Sequence, residues 1–188
     1  MALKKNKVKF GLNKVHWAKI TGWSDDGVPT FATPVRIPGA VSLSIDANGE
    51  NENFYADNTV YYVINNNAGY TGDLEIALIT TDFATEIQRN DAETTQFALL
   101  FEFNGDKNHI RHVLYCCSAS RPKTESSTTE ESTEVKTETL SFKASALPDG
   151  LVKSKTCENT DETTYNNWYK SVYIPTFAAA KTTAAKTS

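Results

Sequence analysis

Three histidines and three cysteines are the side chains of this 188-residue chain best suited to hold a metal ion or attack a substrate. His109 and His112 are three apart, and on a strand that spacing sends them to opposite faces, so they do not converge on one ion. His16 stands alone. Cys116 shares strand parity with His112, but four residues at about 3.3 Å each put them roughly 13 Å apart, too far for a nucleophile–base hydrogen bond. Cys116 and Cys117 are neighbours that a strand points to opposite sides. With Cys157 they make an odd count and a poor disulfide framework, so the expectation is three reduced thiols in a protein made in the cytoplasm. Asp25-Asp26-Gly27 lacks the ligand spacing of an EF-hand. No nucleophile elbow, phosphate loop or dinucleotide fingerprint occurs. The residue types therefore predict no catalytic group, no metal and no cofactor, and a protein that is not an enzyme.

The elements that position these residues are mostly strands. Val41, Leu43 and Ile45 alternate with serines, and Leu74, Ile76 and Leu78 with Glu75 and Ala77. Phe97, Leu99, Phe101 and Phe103 alternate with Ala98, Leu100 and Glu102, and Val60–Ile64 is β-branched and aromatic. Each predicts a strand with one face in a core. Asp25-Asp26-Gly27 predicts a hairpin from Lys14–Trp23 to Thr30–Val35. Asn104-Gly105-Asp106 predicts a turn with positive φ between Phe97–Phe103 and Ile110–Cys117. Asp149-Gly150 predicts another between Thr137–Ala144 and Leu151–Cys157. Two short helices are expected: Thr81–Arg89, with Phe83 and Ile87 on one side, and Asp161–Val172, with Tyr165, Trp168, Tyr169 and Val172 in a stripe. The predicted fold is mainly β: an antiparallel β-sandwich or barrel of two packed sheets with one flanking short helix, a second short helix near the C-terminus, and extended loops and arms.

Composition agrees with one domain carrying arms. The chain is 39% hydrophobic, 11% aromatic and 22% charged, enough for a core without disulfides or metal. Residues 1–13 read as a basic N-terminal arm, 14–174 as the β domain and 175–188 as an Ala/Lys/Thr tail. Within the domain, residues 48–58 read as a long polar loop and 123–134 as a mobile Ser/Thr/Glu-rich loop. Apolar runs such as Phe97–Phe101 fall far short of the roughly 20 residues of a membrane helix, and no apolar stretch follows the first lysines as in an export signal. A net charge of −4 excludes a chain-wide basic surface for nucleic acid. Charge is nonetheless segregated, with six lysines before the first acid and Glu125, Glu130, Glu131, Glu134 and Glu138 close together.

In this order and spacing, seven segments resemble the major tail protein, or tail tube protein, of phages with long non-contractile tails. They are VKFGLNKVHWA from Val8, IPGAVSLSIDANGE from Ile37, NFYADNTVYYV from Asn53, GYTGDLEIALI from Gly69, YCCSASRP from Tyr115, KTETL from Lys136 and DGLVKSKT from Asp149. The resemblance spans about Val8 to Tyr173 and leaves out the Ser/Thr/Glu stretch and the C-terminal tail. It implies two packed antiparallel sheets with a flanking helix, and hexameric rings stacked into a hollow tube through which DNA leaves the capsid. It also implies assembly in the host cytoplasm with a tape-measure protein, tail-tip and tail-terminator proteins, and a final place in the virion tail.

Physics adds a constraint on such a bore. Duplex DNA carries one charge per about 1.7 Å, and even ~0.3 kcal/mol per basic contact would sum to a trap along a tail. Asp73 and Glu75 lie opposite the apolar face of their strand and are the candidate lumen-facing residues. Lys4, Lys5 and Lys7 are candidate partners for Glu125, Glu130, Glu131 and Glu134 of a neighbouring copy. Phe54, Tyr55, Tyr61 and Tyr62 are the candidate aromatic contacts between subunits. Tyr61 and Tyr62 are adjacent, so one is expected in the core and the other outside. The alternatives are an adhesive sandwich stacking sugars on Trp17, Trp23 and tyrosines, a head–tail connector or terminator subunit, and an enzyme on a jelly-roll-like scaffold.

Overall fold

The computed structural model describes residues 10–49, 51–56, 58–65, 68–87, 95–120 and 137–176. Its described strands are β1 (Leu12–Trp23), β2 (Pro29–Phe31), β3 (Val35–Arg36), β4 (Ala40–Ala47), β5 (Asn51–Ala56), β6 (Thr59–Asn65), β7 (Tyr70–Ile76), β8 (Gln96–Phe103), β9 (Arg111–Ala119), β10 (Glu138–Ser145) and β11 (Lys153–Lys155). Two short helices join them, α1 (Thr81–Ile87) and α2 (Glu162–Asn167). Every pairing is antiparallel. The long sheet runs β2-β1-β8-β9-β10-β7-β4, with β3 beside β1 and β11 beside β9. It curls until β4 meets β1, giving the layered packing of a sandwich; β4 and β2, at the two ends, share no ladder, so no barrel closes. The pair β5–β6 is a separate two-stranded ribbon.

Two cores lie on the two faces of this sheet. Phe97, Leu99, Phe101, Leu74, Ile76, Leu140, Phe142 and Trp17 fill the first, which α1 closes with Phe83. The Phe83 ring centroid lies 4.9 Å from that of Trp17 and 5.3 Å from that of Phe97. Ala98, Leu100, Val113, Tyr115, Cys116, Leu147 and Trp168 form the second, roofed by Leu151, Tyr169, Val172 and Ile174. β8 and β9 are thus buried on both sides, which is why they read as nearly unbroken apolar runs. Asp161 caps α2 by accepting from the Thr164 amide at 2.8 Å, and that bond holds its carboxyl below the usual range. The helix is shorter than the Asp161–Val172 expected, and its C-cap, Trp168, is the buried wedge.

Irregularities correct several sequence expectations. β8 pairs Phe97 with Cys117 and Leu99 with Leu114, so Ala98 stands opposite both Tyr115 and Cys116. This bulge breaks the alternation, leaving Cys116 in the second core with Tyr115 and Val113 while Leu114 and Cys117 lie in the first. The parity shared by Cys116 and His112 is lost there. In β4, Ala40 pairs with Ile76 and Ser42 with Glu75, so Val41 is an extra residue and is exposed rather than facing the core with Leu43 and Ile45. Leu78 follows the end of β7 and is likewise exposed.

The turns differ too. Asp25-Asp26-Gly27 closes the expected hairpin, with Gly27 at φ +75° and its position tight against Pro148. Asn104 and Gly105 do not take positive φ; His109, five residues later, does. A Cβ at Gly105 would lie 2.5 Å from the exposed Phe10 ring, which would have to turn aside. Asp149-Gly150 does not fold β11 back on β10. Both strands pair with the same side of β9, β10 with Cys116–Ala119 and β11 with His112–Leu114, so residues 146–152 are an excursion in one strand line. Leu147 and Leu151 on that excursion pack into the second core, which is what the extra length achieves.

Candidate functional site

The segment 48–58, expected as a loop, contains β5, and β6 pairs with it from Asn51↔Asn65 to Ala56↔Thr59. Asn-rich sequence hides the strand, and the described side chains of the ribbon show no buried face to impose alternation. Near its tip Asn58 takes φ +59°, and the Thr59 hydroxyl donates to the Ala56 carbonyl at 3.2 Å. At its base the Asn48 amide donates to the Gly69 carbonyl and the Ala68 amide to the Asn48 carbonyl, both at 2.9 Å. Among the described residues no other element packs substantially on the ribbon.

The ribbon carries Tyr55, Val60, Tyr61 and Tyr62, and Tyr61 is 72% and Tyr62 64% exposed. The expectation that one of these two tyrosines enters the core therefore fails. The pairing slips at Tyr61, between Phe54↔Tyr62 and Tyr55↔Val60, and no described element covers either side chain. Phe54 lies in β5 opposite Tyr62. Lys4, Lys5, Lys7, Glu125, Glu130, Glu131 and Glu134 lie outside the described residues.

Asp73 and Glu75 point away from the first core, as the alternation with Leu74 and Ile76 requires. They sit in a field of hydroxyls. Ser141 Oγ donates to Asp73 Oδ1 at 2.6 Å, Ser42 Oγ to Glu75 Oε2 at 2.8 Å and Thr137 Oγ1 to Glu75 Oε1 at 2.7 Å. The Thr137 and Ser42 bonds hold the Glu75 carboxyl below its ordinary range, so it stays ionised. The adjoining groove, about 480 Å³, is lined by Asp46, Thr71, Asp73, Ser118, Ser141 and Lys143. The surface is hydroxyl-rich and acidic, with one lysine.

The groups with catalytic potential stay apart. His109 is in a loop, and its carbonyl accepts from Tyr165 Oη at 3.1 Å. His112 stacks on Phe101 at 5.2 Å. Cys116 and Cys117 are buried, and burial pushes both thiols up; Cys157 is exposed, with its thiol lowered first by the Thr160 hydroxyl. Among the described residues no three His, Cys, Asp or Glu side chains form a metal-binding group, and no helix is long and apolar enough to cross a membrane. Trp17, one of the two tryptophans offered with the tyrosines for sugar stacking, is buried in the first core.

One cluster escaped the sequence reading. Glu102, 3% exposed, lies at the rim of the second core. Lys14 Nζ is 2.8 Å from its Oε1, Tyr169 Oη donates to Oε2 at 3.1 Å, and Arg111 Nε is 3.5 Å from Oε2. The Arg111 guanidinium sits 3.8 Å over the Tyr165 ring, and its Nη1 donates to the Tyr165 carbonyl. Lys14 adopts φ +48° beside a register shift in β1, which brings its amine over this carboxylate. Glu102 looked like one more alternating strand position. The available signal was an acid on a strand otherwise apolar on both faces, opposite Arg111 of β9.

No protein-family model matches the chain, and no curated protein matches it in sequence. Among solved structures, it is similar to a chain of the anti-feeding prophage (AFP) baseplate, determined by cryo-EM with 6-fold symmetrisation. The two are 10% identical, the alignment covers 84% of this chain and 100% of that one, and the TM-score is 0.49. Likeness of that degree carries no functional argument.

Proposed function

We propose that this protein is a structural, non-catalytic virion subunit, the major subunit of a phage tail tube, which assembles with copies of itself into stacked hexameric rings around a channel for DNA. The observation that carries the reading is the β5–β6 ribbon. Two-stranded ribbons are marginal alone in water, and this one holds Tyr55, Tyr61 and Tyr62 exposed, with no covering element among the described residues. Aromatic side chains of this kind are enriched at the centres of interfaces. A second copy is the economical partner, because β4, an end strand of the long sheet, carries no lysine or proline along Ala40–Ala47 to discourage pairing. The Asp73–Glu75 surface suits the channel wall, since its ionised acids repel phosphate. Tape-measure, tip and terminator proteins are partners on the sequence resemblance, and assembly in the host cytoplasm follows from the same source.

The test is electron microscopy of concentrated purified protein beside its Tyr61→Ser/Tyr62→Ser variant. Tubes or stacked rings from the native chain, lost in the variant, are the expected result. A monomer at all concentrations overturns the reading. A single ring that never stacks replaces it with a connector or terminator subunit.

A further inference from the structure

The second core is roofed by a latch, α2 and the residues following it to Thr176, with little regular structure of its own. One end is held by Tyr115 Oη donating to the Tyr173 carbonyl at 2.7 Å and by Trp168 stacked on Tyr173 at 5.6 Å. The other end is held by Tyr169, which donates to Glu102 and stacks on the His16 ring at 4.6 Å. His16 Nδ1 lies 2.8 Å from the Lys14 carbonyl. A carbonyl can only accept, so Nδ1 carries the proton, and acid adds the second at Nε2.

The groups around His16 make that second proton unwelcome. On its own strand is Lys14. On β3, Arg36 stands directly across from it. On β9, Arg111 lies 5.0 Å from the Tyr169 ring that His16 stacks on. On α2 is Tyr165, and in the turn that follows the helix is Tyr169. Among the described residues the anion acting on it is Glu102 on β8, already engaged by Lys14, Tyr169 and Arg111. A charged imidazole would join Lys14, Arg36 and Arg111 as a fourth cation in this neighbourhood. Burial, more than the Arg36 and Lys14 charges, lowers the affinity of His16 for that proton, against the opposing pull of the Lys14 carbonyl and Glu102.

We propose that His16 is an acid-sensitive catch for the latch over the second core: protonation of its ring weakens the Tyr169 contact and loosens residues 161–176 from the sheet. The sign follows from linkage. The folded, latched state binds the proton less well than the open state, so latching is fully favourable above the ordinary histidine value near 6.5. It is lost progressively as pH falls below that value toward the lowered one. This inference does not rest on the assembly reading.

Hydrogen exchange over 161–176, corrected for the intrinsic effect of pH, tests it at pH 7.5 and pH 5.0 in the native chain, His16→Gln and Arg36→Gln. The native latch is expected to open several-fold more at pH 5.0, with peptides of β8 unchanged. His16→Gln should open equally at both pH values. Arg36→Gln, which removes an exposed cation and leaves the ring in place, should show a smaller pH difference than the native chain. Equal native protection at both pH values overturns the proposal, as does a full acid response in His16→Gln. If His16→Gln does not fold, an undiminished acid response in Arg36→Gln, with the His16 resonances titrating at the ordinary value, overturns it.

Discussion

Two stretches of similar composition meet opposite fates. Val113–Cys117 and Val60–Ile64 are each five apolar residues rich in β-branched and aromatic types. The first lies between two cores and is buried throughout. The second lies in the ribbon, with Val60, Tyr61 and Tyr62 exposed. Strand propensity is therefore the same signal in both, and neighbours decide what it is for. β9 has β8 on one side, β10 and β11 on the other, and α2 above, whereas β6 has β5 alone among the described elements. What is already covered holds the monomer together, and what is uncovered is available to another chain.

This contrast can be broken by substitution. Trp168→Ala opens a cavity in the second core and should cost about 3–5 kcal/mol in chemical denaturation; a loss below about 1 kcal/mol would show that α2 is a loose appendage. Glu102→Ala leaves Lys14 and Arg111 facing each other at the rim of that core and should cost about 3 kcal/mol, less if Lys14, half exposed, turns to solvent. Tyr61→Ser/Tyr62→Ser should change monomer stability by no more than about 0.5 kcal/mol while removing self-association. A large loss of monomer stability in that variant would mean that the ribbon packs on its own chain.

The alternation of β7 was legible because only one of its faces is on the first core, and the Gly27 turn because it needs positive φ. The caps of α2 were legible for the same local reason, in the Asp161 side chain. The bulges at Val41 and at Tyr115–Cys116 were not, since alternation cannot report the residue that breaks it until the partner strand is known. The collinear β10 and β11 were misread because Asp149-Gly150 has hairpin chemistry, while the pairing is set by β9. Of the candidate site, the outward turn of Asp73 and Glu75 followed from period two. The Glu102 cluster did not, since its members come from β1, β8, β9 and the turn after α2, whose meeting is tertiary.

The ribbon continues strands already in the sheet, with β4 leading into β5 and β6 into β7. A load on its tip reaches the sheet through β7, whose ladder to β10 runs from Glu138↔Ile76 to Ala144↔Tyr70. Gly69, where any Cβ would lie 2.1 Å from the Ala144 carbonyl oxygen, keeps that anchorage close-fitting. The ribbon is thus rooted in the seven-rung ladder between β7 and β10 and does not hang from a free loop.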